Sequence, residues 1–599
     1  MTKLIKEFYS LLTKKQRARF LKLQLLVIIT SFGEILGIAS IAPFMSLVGD
    51  ISKIKTNNYI SDIYHYLDFN NPYDFVFWIG ILVLIFLIIS TLLSVLSTYK
   101  LAMFAAEIGT ENADRLYKHY LNQNWIFHSE GSSAQLIKQI ANECVRVTDL
   151  VILPLILMNS KIVLVAFLTI ALILYNPIIA VIGFGAFSIL YLIIFQISKR
   201  KLSANGKALS NVATIRFKLM NEAFGGIKDV ILLNRKNFFI NKFEKSGKEF
   251  AYARGNNHVL WQVPKFFMEL IAFGAMISII LFHITSNDNI NGILPLLSIY
   301  ALAAFKLLPA FQQIYASIGQ IKGNISAFES IKEDLIKTKN ISEEILKNSI
   351  QTEEINLKDK IHLNSIYFTY PNKQKAVLNN ISLTISLNSV VGIVGPSGSG
   401  KTTLIDVLLG LIQPEKGNLE IDKTVINKDN IVSWQKNIGY VPQDIFLSEE
   451  SIAENIAFGI PKKLIDYERI HKAIKLSHLD SLINSLEGGL STMVGERGVQ
   501  LSGGQRQRIG IARALYHKTN VFIFDEATSS LDGITEKSIM NAINDFKGNK
   551  TIILVAHRLK TIKNCDIIFF IEDGKLKDKG TYDELLTKNP DFRKMTKYA

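Results

Sequence analysis

Hydropathy, charge placement and one glycine-rich loop predict a two-part fold: an α-helical domain of six membrane spans, then an α/β P-loop nucleotide-binding domain. The chain has 599 residues, too many for one core. It is 49% hydrophobic and only 20% charged, and its apolar residues crowd into the first half. The second half alternates short β-rich runs with helical ones. The expected domains are 1–320 in the membrane, a connector 321–355, and a nucleotide-binding domain 356–599.

Six apolar stretches reach the roughly 20 residues that a bilayer crossing needs: 20–47, 74–98, 149–175, 177–197, 261–283 and 292–317. The first follows Lys3, Lys6, Lys14, Lys15, Arg17, Arg19 and Lys22, a basic start that a signal peptide shares. Its apolar run is too long for a signal core and has no small-residue cleavage site, so it reads as a retained helix. The formal charge of +15 is explained by Lys and Arg flanking these stretches. That placement points to membrane topology rather than to nucleic acid. Cys144 and Cys565 lie far apart and exclude a disulfide framework or a cysteine-based metal site.

Orientation follows from the positive-inside rule. Segment 198–260 carries 13 Lys and Arg against four acids and is assigned to the cytosol. The segment 49–73, the turn at Asn176-Pro177 and the loop 284–291 hold few or no basic residues and are assigned outside. Loop 99–148 is balanced and neutral on this point. Both internal loops have helical patterns, so the membrane helices are expected to continue into the cytosol. Glu34, Lys161, Lys265, Glu269 and Lys306 sit in or near the spans. Charges at that depth face a cavity, pair with one another or snorkel to an interface. Lys265 and Glu269, four residues apart, have the spacing of a helical ion pair.

In the second half, Gly395-Pro396-Ser397-Gly398-Ser399-Gly400-Lys401-Thr402 follows the apolar run Val390–Val394 and opens a helical pattern. This is a P-loop in its strand–loop–helix setting. Its glycines let backbone N–H groups close on phosphate oxygens at a helix N-terminus. Lys401 reaches the β- and γ-phosphates, Thr402 offers a hydroxyl to Mg²⁺, and Thr403 joins the phosphate-binding set. A second apolar strand, Val521–Phe524, ends in Asp525-Glu526. Asp525 is placed to hold Mg²⁺ through water and Glu526 to polarise the attacking water.

Together with these motifs, Leu501-Ser502-Gly503-Gly504-Gln505 resembles the signature of the ABC ATPases. The resemblance extends over the whole chain. It implies that Tyr370 stacks on adenine and that Gln443, in Tyr440-Val441-Pro442-Gln443, senses Mg²⁺. It also implies a coupling loop at Glu496, a D-loop at Ser530-Leu531-Asp532, and a γ-phosphate contact from His557. A membrane domain followed by the ATPase resembles the exporters of that family. Non-transport ABC ATPases of the DNA-repair or translation kind lack membrane spans.

Within the exporters, three stretches resemble the group that flips lipid-linked oligosaccharides. They are Gly225-Gly226-Ile227-Lys228-Asp229-Val230 with Asn234-Arg235, then Val263-Pro264-Lys265 with Glu269 and Phe273-Gly274, and Phe305-Lys306-Leu307-Leu308-Pro309 with Gln312-Gln313-Ile314-Tyr315. Segment Tyr59–Leu67 has the helical pattern of that group's short external helix. Two cavity positions commonly Arg there are Lys265 and Lys306 here, which keep charge but not bidentate phosphate geometry. A further basic position falls at Ser90. The resemblance implies an ATP- and Mg²⁺-dependent flippase that moves a lipid-linked oligosaccharide or related glycan carrier, with substrate contacts at Lys265 and Lys306. A general exporter of other lipids, drugs or peptides is the alternative. The implied partner is a second copy, giving a homodimer. The expected setting is multi-pass in the bacterial inner membrane, with the N-terminus and the ATPase in the cytoplasm.

Overall fold

A computed structural model describes residues 2–598, apart from 50, 53, 55–57, 176, 286–289, 349–354, 496–497, 527–532, 534–535, 538–539, 541–545 and 557–558. The chain forms two compact units. One comprises Met1–Gln123 and Glu130–Ser342, the other Asn124–Ser129 and Glu343–Ala599.

The first unit is all helical. Its long helices are Lys14–Gly49, Pro72–Leu121, Pro177–Gly225, Lys236–Thr285 and Ile290–Asn348. Between the second and third of these, 133–175 is continuously helical, with π turns at Gln139–Glu143 and Thr148–Ile152. Each expected apolar stretch lies inside one of these helices. Four of them run 49 to 59 residues, well beyond what a bilayer needs. Lys14–Gly49, Pro72–Leu121 and Ser133–Leu174 are long and apolar enough to cross a membrane among the described residues. The other three expected spans include side chains outside the described set.

Local chemistry starts and stops these helices. Asn71 caps Pro72–Leu121, its side chain accepting from Tyr73 N at 3.1 Å, and Pro72 fits the first turn, where its missing N–H costs nothing. Gly225-Gly226 ends Pro177–Gly225 before the short helix Ile227–Leu232, and Asn234 then turns the chain with φ 51°. The short helix Asn58–Tyr66 matches the pattern read at Tyr59–Leu67.

One difference concerns the expected connector 321–355. Residues 321–342 continue the last long helix and belong to the first unit. Ile321, Phe328, Ile331 and Leu335 recur at helical spacing and are 3% exposed or less. They join the same core as Leu101, Phe104 and Ile108. The polar residues between them disguise this stripe in a composition scan.

Among the described residues the second unit holds ten strands: β1 (Lys360–Phe368), β2 (Leu378–Ser386), β3 (Val390–Val394), β4 (Lys416–Ile421), β5 (Thr424–Val425), β6 (Ile438–Val441), β7 (Val521–Asp525), β8 (Thr551–Val555), β9 (Ile567–Glu572) and β10 (Lys575–Gly580). One sheet, ordered β2-β1-β4-β5, is antiparallel. The other is ordered β10-β9-β3-β8-β7-β6, parallel except for the last hairpin. Strands β3, β7 and β8 are buried along their whole length, which is why they read as unbroken apolar runs. Burying each large aliphatic or aromatic side chain there contributes about 1.5–3 kcal/mol.

The segment Asn124–Ser129 clusters with the second unit, although its neighbours Gln123 and Glu130 belong to the first. Ile126 packs on the core around Leu404 and Ile405, and the Trp125 side chain hydrogen-bonds Asp406.

Candidate nucleotide site

The parallel order puts the carboxyl ends of β3, β7 and β6 along one edge, where loops of an open α/β sheet bind ligands. After β3 comes the P-loop. Gly395, Gly398 and Gly400 have φ of 158°, 79° and 101°. A Cβ at Gly400 would lie 2.9 Å from Val377 O, so both backbone conformation and space require glycine. The loop runs into the helix Lys401–Leu408, which aims its N-terminus at the same spot.

Lys401 donates to Gly395 O and Pro396 O at 2.8 and 2.9 Å, folding back over its own loop. Burial lowers its pKa, while the nearby carboxylates of Glu526 and Asp525 work against that. Asp525 ends β7 at 7% exposure and accepts from Tyr440 Oη at 3.4 Å. Burial, with that carboxylate beside it, holds the Tyr440 hydroxyl protonated well above its ordinary value. Glu526 turns left-handed, φ 49°, and its N–H donates to Val555 O at 3.0 Å. That turn lifts its carboxylate off the sheet and toward Gln443, which follows β6. Gln443 Nε2 donates to Glu526 Oε2 at 2.8 Å.

These groups converge on a cavity of about 820 Å³. Tyr370, the P-loop residues Ser397, Gly398, Gly400, Lys401 and Thr402, and Thr403, Gln443 and Glu526 all line it. Tyr370 has Phe368 edge-on at 5.0 Å and the Lys373 ammonium 5.6 Å from its ring centre. The Tyr370 hydroxyl is 3.3 Å from Thr403 Oγ1. Asp525 sits just behind, hydrogen-bonded through Tyr440.

The expected residues Ser502, Gly503, Gly504 and Gln505 do not line this cavity. They open the helix Gly503–Tyr516. Ser502 Oγ accepts from Gln505 N at 3.2 Å while Gln505 Oε1 accepts from Ser502 N at 2.8 Å. This reciprocal cap contributes about 1 kcal/mol to the helix and leaves its N-terminus set for a negative ligand. His557, Glu496 and Ser530-Leu531-Asp532 lie outside the described residues.

Six lining residues escaped the sequence reading: Lys373, Lys375, Ala376, Val377, Asp573 and Gly574. Asp573-Gly574 forms the turn between β9 and β10, both in left-handed backbone. Its N–H at Gly574 donates to Ser399 O at 3.1 Å, bracing the P-loop. The dipeptide signals a hairpin. Nothing local says that the hairpin lies against β3.

In the helical unit, the two expected substrate lysines are both paired. Lys265 Nζ is 3.8 Å from Glu269 Oε1, and Lys306 Nζ is 3.6 Å from Glu34 Oε2. Glu34 also accepts from Ser94 Oγ at 2.6 Å. The structure does not bring the two lysines into a shared cluster among the described ion pairs.

Residues 25–305 match the profile of the ABC transporter transmembrane region, and residues 378–529 match that of the ABC transporter. The chain is 27% identical to an ATP-dependent lipid A-core flippase of Thiobacillus denitrificans, over 86% of this chain and 88% of that one. It is 29% identical to the lipid A-core flippase of Cupriavidus metallidurans over 65% of this chain and 64% of that one. A 40% match to the ABC transporter ATM1 of Toxoplasma gondii covers 36% of this chain and 19% of that protein. Among solved structures, a bacterial Atm1-family ABC exporter with ATP bound superposes with a TM-score of 0.78. That match covers 97% of this chain and 99% of the other at 18% identity.

Proposed function

The chain belongs to the ABC transporters, as an exporter-type transmembrane region joined to an ATP-hydrolysing domain, and we propose that it is a homodimeric flippase for a lipid-linked oligosaccharide or related glycan carrier. ATP hydrolysis is coupled to transport in this family. The proposed setting is the bacterial inner membrane, with six spans and the ATPase on the cytoplasmic side.

The observation that carries the substrate reading is the Lys306–Glu34 pair. Lys306 has 42% of its side chain accessible, whereas Glu34 has 11% and is further held by Ser94. A largely buried, hydrogen-bonded carboxylate holds the lysine, and the partly exposed ammonium retains donors for a second anion. The phosphate between a lipid tail and a glycan head needs such a cation on its way through apolar surroundings. Lys265, five residues past the segment assigned to the cytosol and beside Pro264, would meet it earlier. The curated relatives named as lipid A-core flippases support a lipid substrate.

In the proposed cycle, Tyr370 and the P-loop hold ATP, and Ser502–Gln505 of a second copy close the site over it. Thr402, Gln443 and Asp525 present hydroxyl, amide and carboxylate oxygens, a donor set that fits Mg²⁺, which neutralises charge on the β- and γ-phosphates. Glu526 orients the attacking water, and His557 contacts the γ-phosphate. Differential binding of ATP to the closed state drives the change in the helical unit.

The test is reconstitution into liposomes with a lipid-linked oligosaccharide, a lipid A-core-type glycolipid and a glycan-free lipid, scoring ATP-dependent change of leaflet. Movement of the glycan-bearing lipids alone supports the proposal. Transport of apolar drugs or peptides with no lipid movement overturns it and favours the general exporter.

A further inference from the structure

A further cavity, mostly apolar but with polar groups on one helix face, lies in the helical unit, beside the basic segment that precedes Lys265. Arg254, Asn257, His258 and Trp261 are spaced by three, four and seven residues from the first, which puts them on one face of the helix Lys236–Thr285. All four line a cavity of about 610 Å³, whose opposite wall includes Arg146 and Asn324. None of its lining residues is acidic.

The donors there exceed the acceptors. Asn257 is 1% exposed. Its Oδ1 accepts from Asn205 Nδ2 at 3.0 Å, but its own Nδ2 donates to nothing. One turn further on, the indole N–H of Trp261 is also buried without an acceptor. Leaving a buried donor unmet is costly, so two on one face call for an acceptor between them. The wall around Arg146 is positively charged. Glu143, 1% exposed, pairs with Lys138 at 3.0 Å and Arg146 at 3.5 Å, leaving two cations to one anion. Arg146 Nε is locked on Asn324 Oδ1 at 2.8 Å. Arg254 supplies a further, exposed guanidinium to the cavity, and guanidinium geometry suits phosphate oxygens.

We propose that this cavity is an anion subsite that takes the phosphate or diphosphate of the transported lipid's head group before it reaches Lys306. This rests on the flippase reading. The shared chemistry is a phosphate, from a lipid head or from a soluble diphosphate. Asn257 Nδ2 and Trp261 Nε1 donate to its oxygens, and Arg254 closes over it.

The experiment uses the full-length chain in phosphatidylcholine nanodiscs, with Lys401→Ala throughout so that the P-loop does not compete. Inorganic diphosphate is titrated by calorimetry, and a polyprenyl diphosphate is scored by native mass spectrometry. Arg254→Gln is expected to weaken both about tenfold or more, as loss of a charge-assisted hydrogen bond does, and Trp261→Phe about threefold. Arg254 is exposed, so its replacement leaves the thermal unfolding midpoint unchanged. Equal binding by parent and both variants overturns the subsite, as does a parent that binds neither probe. Loss confined to inorganic diphosphate overturns the assignment to a lipid head. The liposome assay scores flipping separately, so flipping with unaltered variants leaves the flippase reading standing while this site falls.

Discussion

Gln443 Nε2 donates to Glu526 Oε2 at 2.8 Å, joining two residues 83 positions apart at the mouth of the nucleotide cavity. The bond occupies the carboxylate proposed to orient water. On that proposal, ATP binding exchanges this contact for one with water and so links site closure to catalysis.

Glu526→Gln is expected to keep ATP affinity within about threefold and to lose at least a hundredfold in turnover, the scale of one lost general base. ATP binding is read by filter assay and turnover by phosphate release. Near-normal ATPase in the purified variant would refute the role of Glu526. Lys401→Ala is expected to weaken ATP binding itself, because Lys401 is the P-loop cation.

Assembly follows from Ser502–Gln505 standing outside the cavity of their own subunit. The Glu526→Gln variant with ATP and Mg²⁺ is expected to run as a dimer in size-exclusion chromatography with light scattering. A species that stays monomeric yet hydrolyses at full rate in the parent sequence sinks this expectation.

Asp406 gives a pH dependence. It lies on the P-loop helix, 8% exposed, facing Trp125, Asp525 and Tyr440. Burial lifts its carboxyl to about 6, partly offset by the Trp125 hydrogen bond. The folded state thus binds this proton more tightly than the unfolded chain does. Its contribution to stability is full below 3.8 and is lost as pH rises through about 6. Asp406→Asn is expected to raise the unfolding midpoint at pH 8 by more than at pH 5, measured by differential scanning fluorimetry. An equal change at both pH values contradicts the assignment.

For the membrane lysines, Lys306→Gln combined with Lys265→Gln is expected to abolish flipping while basal ATPase persists. If the pairs serve only to hold helices, Lys306→Gln lowers the unfolding midpoint and Glu34→Gln in the same chain restores it. The Lys265–Glu269 pair is 49% and 36% exposed. In water such a pair contributes about 0–1 kcal/mol, so its loss alone does not unfold the chain.

Close packing supplies a last test. A Cβ at Gly206 would lie 2.2 Å from Gly323 O, a backbone atom of another helix. Gly206 O also accepts from Arg146 Nη2 and Ser326 Oγ, at 3.3 and 3.1 Å. Gly206→Ala is expected to cost about 1–3 kcal/mol of stability through overpacking, whereas Gly185→Ala, with open space around it, costs much less.

The sequence alone determined the two-part fold, because apolar runs and a P-loop are local patterns with local causes. A run of Val, Ile and Phe bounded by glycine commits itself to a buried strand, and Gly395–Thr402 carries its own phosphate cradle. It also named Glu526 from its place after an apolar strand, and Tyr370 and Gln443 through a motif resemblance. Only the tertiary structure decided how they meet, since β3, β8, β7 and β6 are neighbours in space but scattered in sequence. The same holds for Glu34 against Lys306, for the hairpin turn at Gly574 against Ser399, and for the stripe through Ile321 and Leu335. Ion pairs and donor-rich cavities are made by side chains from different helices, and helical periodicity says which face a residue takes, not which partner faces it.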